Sequence, residues 1–129
     1  MWTLEVRTHR RTSFVDITHD VAALVRDAGD GVALVYVPHT TAGVTINENA
    51  DPSVRDDLEM ALQRLVPEDL PFTHAEGNSD AHTKASLMGS SVSVPVQGGA
   101  LQLGTWQGIY FAEFDGPRRR RVTVTFTRA

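Results

Sequence analysis

Two histidines and three polar residues share one short stretch of the sequence. His74 and His82 flank Glu76, Asn78 and Asp80, in a segment without regular apolar spacing. Imidazole and carboxylate groups are common ligands of zinc, manganese and iron. The stretch predicts either a divalent-metal site or an ordinary solvated loop, because its spacing matches no established metal signature.

A third histidine, His39, follows a continuous apolar run. Side chains at the end of a buried strand are often functional, although a histidine there can equally bond a nearby carbonyl. If the 74–82 segment and a helix over 51–66 pack against the end of this strand, three imidazoles meet. His39, His74 and His82 are therefore candidate metal ligands, against the alternative of three separate structural histidines.

An acidic residue, Glu48, lies just before a strong helix-start signal. Asp51 followed by Pro52 places a capping carboxylate ahead of a proline in the first turn. The partial positive charge of a helix N-terminus favours a phosphate as well as a carboxylate. Glu48 is thus interpreted as a general base or metal ligand, or as an exposed glutamate that the helix dipole stabilises.

Four further polar residues are candidates for binding a phosphate. Thr40 and Thr41 can donate hydrogen bonds to a ligand or close a turn. Lys84, the only lysine of the chain, can pair with phosphate as a point charge or remain solvated. Asn47, beside Glu48, completes this group.

The elements that must position these residues follow from apolar periodicity. The patterns predict an alternating strand from Trp2, a helix capped by Thr18, a strand over 32–37 buried on both faces, and a strand including Val44 and Ile46. Residues 67–83 are predicted to be irregular. The remaining patterns predict strands over 91–96, 100–103, 105–114 and 121–127, the last an edge or interface strand after the Arg118–Arg121 run. We expect one α+β domain over residues 1–129, mostly antiparallel sheet with two main helices.

Composition excludes several classes of protein. The chain has 129 residues, a net charge of -4 and no cysteine. Disulfides, thiolate nucleophiles and sulfur-ligated zinc are therefore absent, and an acidic chain is not the usual nucleic-acid binder. No apolar run reaches the length of a membrane span, and no signal peptide is recognisable. We expect a soluble, cytoplasmic protein with neither nucleic-acid nor membrane partners.

Four segments together resemble a known family. They are the runs 39–51, 86–96, 103–109 and 115–119, and the Leu-Gly-Thr-Trp-Gln stretch that includes Trp106 is the most specific of them. The chain is similar in these segments to the YjbQ-like family, whose members are described as secondary thiamine-phosphate synthase enzymes. The resemblance covers nearly the whole chain.

The resemblance implies an α+β homotrimer with a polar pocket near its histidines. The implied reaction condenses an aminopyrimidine methyl diphosphate with a thiazole phosphate and releases pyrophosphate. On this hypothesis the small phosphorylated substrate meets a divalent metal, zinc or magnesium or manganese, and Trp106 packs nearby. The expected catalytic residues are Glu48, His39 and His82; the expected phosphate ligands are Thr40, Thr41, Asn47 and Lys84; the expected metal ligands are His39, His74 and His82.

Two other functions fit the same residues. A metal-dependent hydrolase of a phosphorylated metabolite would use water in place of the thiazole as nucleophile. A non-catalytic trimer that binds a small molecule or a metal would use them without turnover. The sequence does not separate the three hypotheses.

Overall fold

Eight strands and three helices follow one another along the chain, and the computed structural model describes every residue from Met1 to Ala129. In chain order the elements are β1 (Trp2–Arg7), β2 (Ser13–Asp16), α1 (Thr18–Val25), β3 (Gly31–Tyr36), β4 (Ala42–Glu48), α2 (Pro52–Leu65), α3 (Ser79–Met88), β5 (Ser91–Gln97), β6 (Ala100–Leu101), β7 (Gln107–Glu113) and β8 (Arg119–Arg128). None of the helices combines the length and apolar character that crossing a bilayer requires.

The strands form two antiparallel sheets. The larger sheet has the order β1-β8-β3-β5-β6, and the smaller has the order β2-β7-β4. Every strand pairing is antiparallel. The predicted α+β class with mainly antiparallel sheet is confirmed, with a third helix in addition to the two expected.

The smaller sheet lies between the larger sheet and the helices α2 and α3. Along β7, Ile109 and Phe111 join a core cluster of 15 buried residues that includes Val35 and other residues of the larger sheet. The alternate β7 residues Tyr110 and Ala112 join a cluster of six beneath α3. Because successive side chains of a strand point to opposite faces, β7 is buried on both sides.

The prediction that the strand around 32–37 is buried on both faces is wrong. Ala33 and Val35 are fully buried in the main core, but Val32, Leu34 and Tyr36 are 42%, 39% and 45% exposed. β3 is the central strand of the larger sheet, yet no element of this chain covers its outer face. The apolar run therefore correctly predicted a strand, but it wrongly predicted that both faces of the strand are buried.

The arginine run enters β8, which is not an edge strand. The predicted edge position is wrong, because β8 lies between β1 and β3 and pairs with both. Arg120 is 4% exposed and points inward, whereas Arg119 and Arg121 on either side are exposed. The expected alternation is present.

Two of the predicted helix starts have different outcomes. Asp51 caps α2 as predicted, since its Oδ1 accepts a hydrogen bond from the Ser53 amide at 2.9 Å. The predicted cap by Thr18 is wrong, because the amide and hydroxyl of Thr18 both donate to the Oδ1 of Asp16.

The third helix begins inside the stretch 67–83 that was expected to be irregular, and it continues to Met88. α3 buries Asp80, Ala81, Lys84 and Ala85. A helix whose buried face carries an ion pair and two alanines shows no periodicity of large apolar residues. The spacing of large apolar residues therefore does not indicate this helix.

Candidate functional site

A cleft of about 470 Å³ opens where β4 begins and α3 ends. The backbone joins its walls, since the Val37 amide donates to the Ser90 carbonyl at 2.8 Å and the Val44 amide donates to the Gly89 carbonyl at 3.1 Å. We call it the histidine cleft. Its lining includes His39, Thr40, His82, Ser86 and Ser90.

A second cavity of about 280 Å³, which we call the loop cleft, adjoins the first. It is lined by polar side chains alone, and Thr40 and His82 line both cavities. The rings of His74 and His82 lie edge to face with centroids 5.4 Å apart. The other lining residues are Thr41, Glu76, Asn78, Asp115 and Arg118. The structure thus brings His39, His74 and His82 to one continuous pair of cavities.

One wall of the loop cleft carries an unpaired polar atom. The Asn78 side chain donates from Nδ2 to Asp115 Oδ2 at 2.9 Å. Its Oδ1 is buried and has no hydrogen-bond partner in the chain. Buried carbonyl oxygens are normally satisfied, so a small movement of the Asn78 side chain that exposed this oxygen would give it a partner in a ligand that carries a donor.

His39 is held at the start of β8 by the backbone. Its Nε2 lies 3.0 Å from the Arg121 amide nitrogen and 3.1 Å from the Arg121 carbonyl oxygen. Burial of the ring lowers the pKa of His39 below its ordinary value, and the charge of Arg120 lowers it further. The lowered pKa favours the neutral ring, in which Nε2 accepts the Arg121 amide proton.

A buried ion pair lies behind His39 and fixes the neighbouring loop. The Arg120 guanidinium pairs with Glu113, with Nε donating to Oε1 at 2.9 Å. The same guanidinium donates to the Thr41 hydroxyl oxygen at 2.9 Å, and the Thr8 hydroxyl donates to Glu113 Oε1 at 2.8 Å. Both charged side chains are almost fully buried. The pair therefore ties β7, β8 and the 39–41 segment into one unit.

The pKa of Glu113 follows from these bonds. Burial alone would raise it, but hydrogen bonds from Arg120, from the Asp115 amide and from Thr8 together lower the pKa of Glu113 below its ordinary value. The carboxylate is therefore ionised at neutral pH. The hydroxyl oxygen of Thr41, a predicted phosphate ligand, accepts a hydrogen bond from Arg120 in this network. Thr41 is also only 5% exposed.

Lys84 lies in the interior and lines neither cleft. It is 1% exposed, and its Nζ donates to Asp80 at 3.2 Å and to Gln63 at 3.0 Å. Asp80 also accepts from Arg11 at 2.9 Å. A buried ammonium group requires such partners, so this arrangement leaves Lys84 no contact with a phosphate in either cavity.

Glu48 and Asn47 lie at the opposite end of β4 from the histidines. Glu48 lies six positions after Ala42 on β4, about 20 Å at about 3.3 Å per residue. Asn47 accepts a hydrogen bond from the Glu48 amide at 2.7 Å. Trp106 is 62% exposed and its carbonyl accepts from the amide of Asn49, near the same end. The structure does not bring these three residues to the clefts.

The chain on its own does not assemble a metal site. No group of three or more His, Asp or Glu side chains is arranged to hold an ion. His74 and His82 are adjacent, and His74 Nε2 lies 3.9 Å from Glu76 Oε1. His39 lines the histidine cleft but not the loop cleft, and its Nε2 is already engaged by Arg121. The predicted set of His39, His74 and His82 therefore does not form a ready ligand set in one chain.

Two residues of the loop cleft were absent from the predicted site. Asp115 and Arg118 line it and form an ion pair at 3.2 Å. They lie in the turn between β7 and β8, within the segment 115–119 that resembles the family, but neither was predicted as a site residue. The sequence signal for Asp115 and Arg118 is the Asp-Gly-Pro-Arg turn itself, which directly follows a long buried strand.

Comparison with known proteins gives the family. The sequence model described as "UPF0047 protein YjbQ-like" matches residues 2–129. The chain belongs to the YjbQ-like UPF0047 family. The family likeness inferred from the four sequence segments is thereby confirmed.

Relatives match over most of their length. A UPF0047 protein of Methanocaldococcus jannaschii is 53% identical over 122 residues, which cover 93% of this chain and 88% of that protein. UPF0047 protein YugU of Bacillus subtilis is 50% identical, covering 92% of each. The crystal structure of a family member from Clostridium acetobutylicum superposes with a TM-score of 0.96 at 50% identity, covering 98% of this chain and 100% of that one.

The implied thiamine-phosphate synthase function is wrong as a conclusion from this family. The similar proteins are named only as UPF0047 proteins. The solved structures are described as an uncharacterized conserved protein and, for Sulfolobus solfataricus, as a protein of unknown function. None of these names describes a synthase or a hydrolase activity.

Proposed function

We propose that the chain binds a small polar molecule across the histidine and loop clefts, with His82 at the centre of the contact. One observation carries the proposal: His82 and Thr40 line both cavities. A ligand that spans the two cavities would contact both residues. Small-molecule sites are characteristically concave, with a few convergent polar groups.

The chemistry of the lining supports a ligand with both donors and acceptors. Asn78 Oδ1 is an unpaired acceptor, and Arg118 supplies a donor beside it in the loop cleft. Imidazole can donate, accept and exchange a proton, so His82 would adapt to either kind of group. Thr40 adds a hydroxyl between the cavities.

We propose a divalent cation as a second occupant of the loop cleft. The adjacent rings of His74 and His82 support it, since imidazole nitrogen is a common zinc ligand. The two rings would supply part of the coordination, and the bound molecule or a neighbouring subunit would supply the rest.

We also propose that copies of this chain associate as the trimer that the family resemblance implied. The uncovered outer face of β3 supports association, because Val32, Leu34 and Tyr36 form an apolar strip in the middle of a sheet. Exposed apolar patches of this kind commonly mark protein interfaces.

A ligand screen tests the proposed site. Purified full-length protein would be screened for thermal stabilisation against phosphorylated and unphosphorylated metabolites, with zinc and magnesium in parallel. Binding should weaken about tenfold or more in His82→Gln, because removing a central hydrogen-bonding group costs on the order of 1.5 kcal/mol. Affinity would be measured by calorimetry.

His19→Gln is the matched control, since His19 is an exposed residue of α1 that lines no cavity. It should bind every hit as the wild type does. Equal affinity of His82→Gln and wild type would show that the ligand binds elsewhere. An unchanged zinc affinity in His74→Gln would contradict the proposed cation site in the loop cleft.

A further inference from the structure

A third cavity, of about 500 Å³, lies on the other side of His39 from the histidine cleft. It runs over the outer face of β1 and β8, and we call it the arginine groove. No hydrophobic side chain lines it. Its lining residues are Thr3, Glu5, His39, Arg119, Arg120 and Arg121.

The arginine groove has more positive charge than its one acid can neutralise. Glu5 lies 3.8 Å from the Arg119 guanidinium and 4.0 Å from Arg7. Arg120 is already paired with Glu113 in the interior. Arg121 forms no ion pair with any acidic side chain of the chain. With Arg7 at the edge of the groove, opposite Arg119 in the strand pairing, one carboxylate faces the three outward-pointing guanidiniums of Arg7, Arg119 and Arg121.

Strand register places these charges together. Glu5 is opposite Arg121, and Arg7 is opposite Arg119, in the antiparallel pairing of β1 with β8. Side chains two apart on one strand point to the same face. Arg119 and Arg121 therefore present two guanidiniums side by side on the same surface, fixed by the sheet rather than by a loop.

We propose that the arginine groove binds the phosphate group of a phosphorylated ligand, held by Arg119 and Arg121. Guanidinium groups match phosphate oxygens in paired hydrogen bonds. A phosphate dianion would offset the excess charge, whereas a single carboxylate would leave part of it. This is a site for phosphate on a different surface from the interior Lys84.

His39 links this groove to the histidine cleft, because it lines both. The part of the inference that places one ligand across both cavities rests on the proposed function. The groove itself does not. A phosphate in the groove would place negative charge beside the His39 ring and raise its pKa, against the lowering that Arg120 and Arg121 now cause.

The His39 ring has several charged neighbours, which bear on how that titration is interpreted. Arg120 and Glu113 act on it from the interior. Arg119, Arg121 and Glu5 face it from the groove. His82 faces it across the histidine cleft. Variants confined to the groove therefore separate the phosphate effect from that of the interior pair.

The experiment is a titration of the full-length protein with inorganic phosphate, followed by NMR signals of the arginine side chains and the His39 ring. Phosphate binding should weaken about tenfold or more in Arg121→Gln, because a charge-assisted hydrogen bond is worth on the order of 1.5–3 kcal/mol. Arg119→Gln should show a similar loss. Saturating phosphate should raise the pKa of His39 in the wild type.

Arg128→Gln is the matched control, since Arg128 lies at the far end of β8, and it should bind phosphate as the wild type does. Equal affinity of Arg121→Gln and wild type would overturn the proposal, as would acetate binding as tightly as phosphate. Phosphate binding that survives in His82→Gln, with no ligand found for the clefts, would support the groove and reject the proposed function.

Discussion

At the scale of single residues, the site depends on a neutral histidine held against a buried ion pair. His39 has a lowered pKa because burial and the Arg120 charge both oppose its protonation. The neutral ring can accept the Arg121 amide proton and still present its other nitrogen. The protonation of a histidine held in this way is favoured by acid and by an anion bound beside the ring.

The lowered pKa of His39 makes stability depend on pH. The unfolded chain takes up a proton at about pH 6.5, before the folded chain does, so acidification from about pH 8 through that value should lower the free energy of unfolding. Urea unfolding at several pH values measures this, and His39→Gln should lose that part of the dependence. His19→Gln should keep it; a loss there would contradict the interpretation.

The buried pair makes a second prediction. Glu113→Gln should lower the free energy of unfolding by about 3 kcal/mol or more, because it leaves the Arg120 charge without its partner in the interior. Denaturant unfolding near neutral pH measures the change. There the Glu113 contribution is complete, since a carboxylate with a lowered pKa loses it only as pH falls through its folded pKa.

Glu76→Gln is the control for that change, since the Glu76 side chain is 74% exposed. Its effect should stay within about 0.5 kcal/mol. If the two variants were equally stable, Glu113 and Arg120 would not be the support for the 39–41 segment that their geometry indicates.

Some residues of the site were predictable and others were not. His39, His74 and His82 were found because polar side chains at strand ends and in polar segments are chemically conspicuous. Glu48 was misplaced because sequence spacing does not show that β4 carries it to the opposite end of the sheet. Lys84 was misread although Asp80 stands four residues before it, the spacing of an ion pair on a helix.

At the scale of elements, the histidine cleft depends on how closely β4 approaches the end of α3. A Cβ on Gly43 would lie 2.5 Å from the Gly89 carbonyl oxygen and 3.1 Å from Met88 Cβ. The strand and the helix end are therefore in contact through a position that admits no side chain. The width of the cleft is set by this contact.

Gly43→Ala should therefore separate β4 from the end of α3. The expected cost is about 1–3 kcal/mol in the free energy of unfolding, as for other overpacked sites, with weaker binding of any ligand of the cleft. Chemical denaturation and calorimetry measure the two effects.

Gly104→Ala is the control, because the nearest neighbour of an added Cβ is the end of the Gln107 side chain, at 3.3 Å, rather than backbone. It should change stability far less than Gly43→Ala. Equal effects of the two substitutions would mean that the β4–α3 contact can relax without cost.

The elements themselves were largely predictable, for physical reasons. β1 and β8 alternate apolar with polar residues because each has one buried face, and α2 begins at an aspartate–proline pair. The first half of α3, over residues 79–83, was missed because the buried face of this helix is made of alanines and an ion pair. The exposure of β3 was missed because an apolar run does not tell whether the residues that cover it belong to the same chain.

At the scale of the whole molecule, the two sheets and the helices leave an apolar strip uncovered on the outer face of β3. Leu34 lies on it at the centre of the larger sheet, 39% exposed. The proposed trimer would cover this surface.

Leu34→Glu should shift the protein from trimer to monomer, because each copy would bury an unpaired charge in the interface. Sedimentation velocity measures the assembly. Leu65→Glu is the control, since Leu65 is 71% exposed on α2, and it should leave the assembly unchanged. A monomeric wild type, or a Leu34→Glu variant that assembles as the wild type does, would contradict the proposal.

The alternating arginines of β8 also restrict how this strand can pair with its neighbours. A one-residue slip of β8 against β1 and β3 would turn the strand over. Two guanidiniums would then face the apolar interior, and Val122 and Val124 would face water. Because loops absorb changes of length, such a slip would come from an insertion or deletion within β8 itself, Arg119–Arg128, rather than in the connection 114–118 that precedes it.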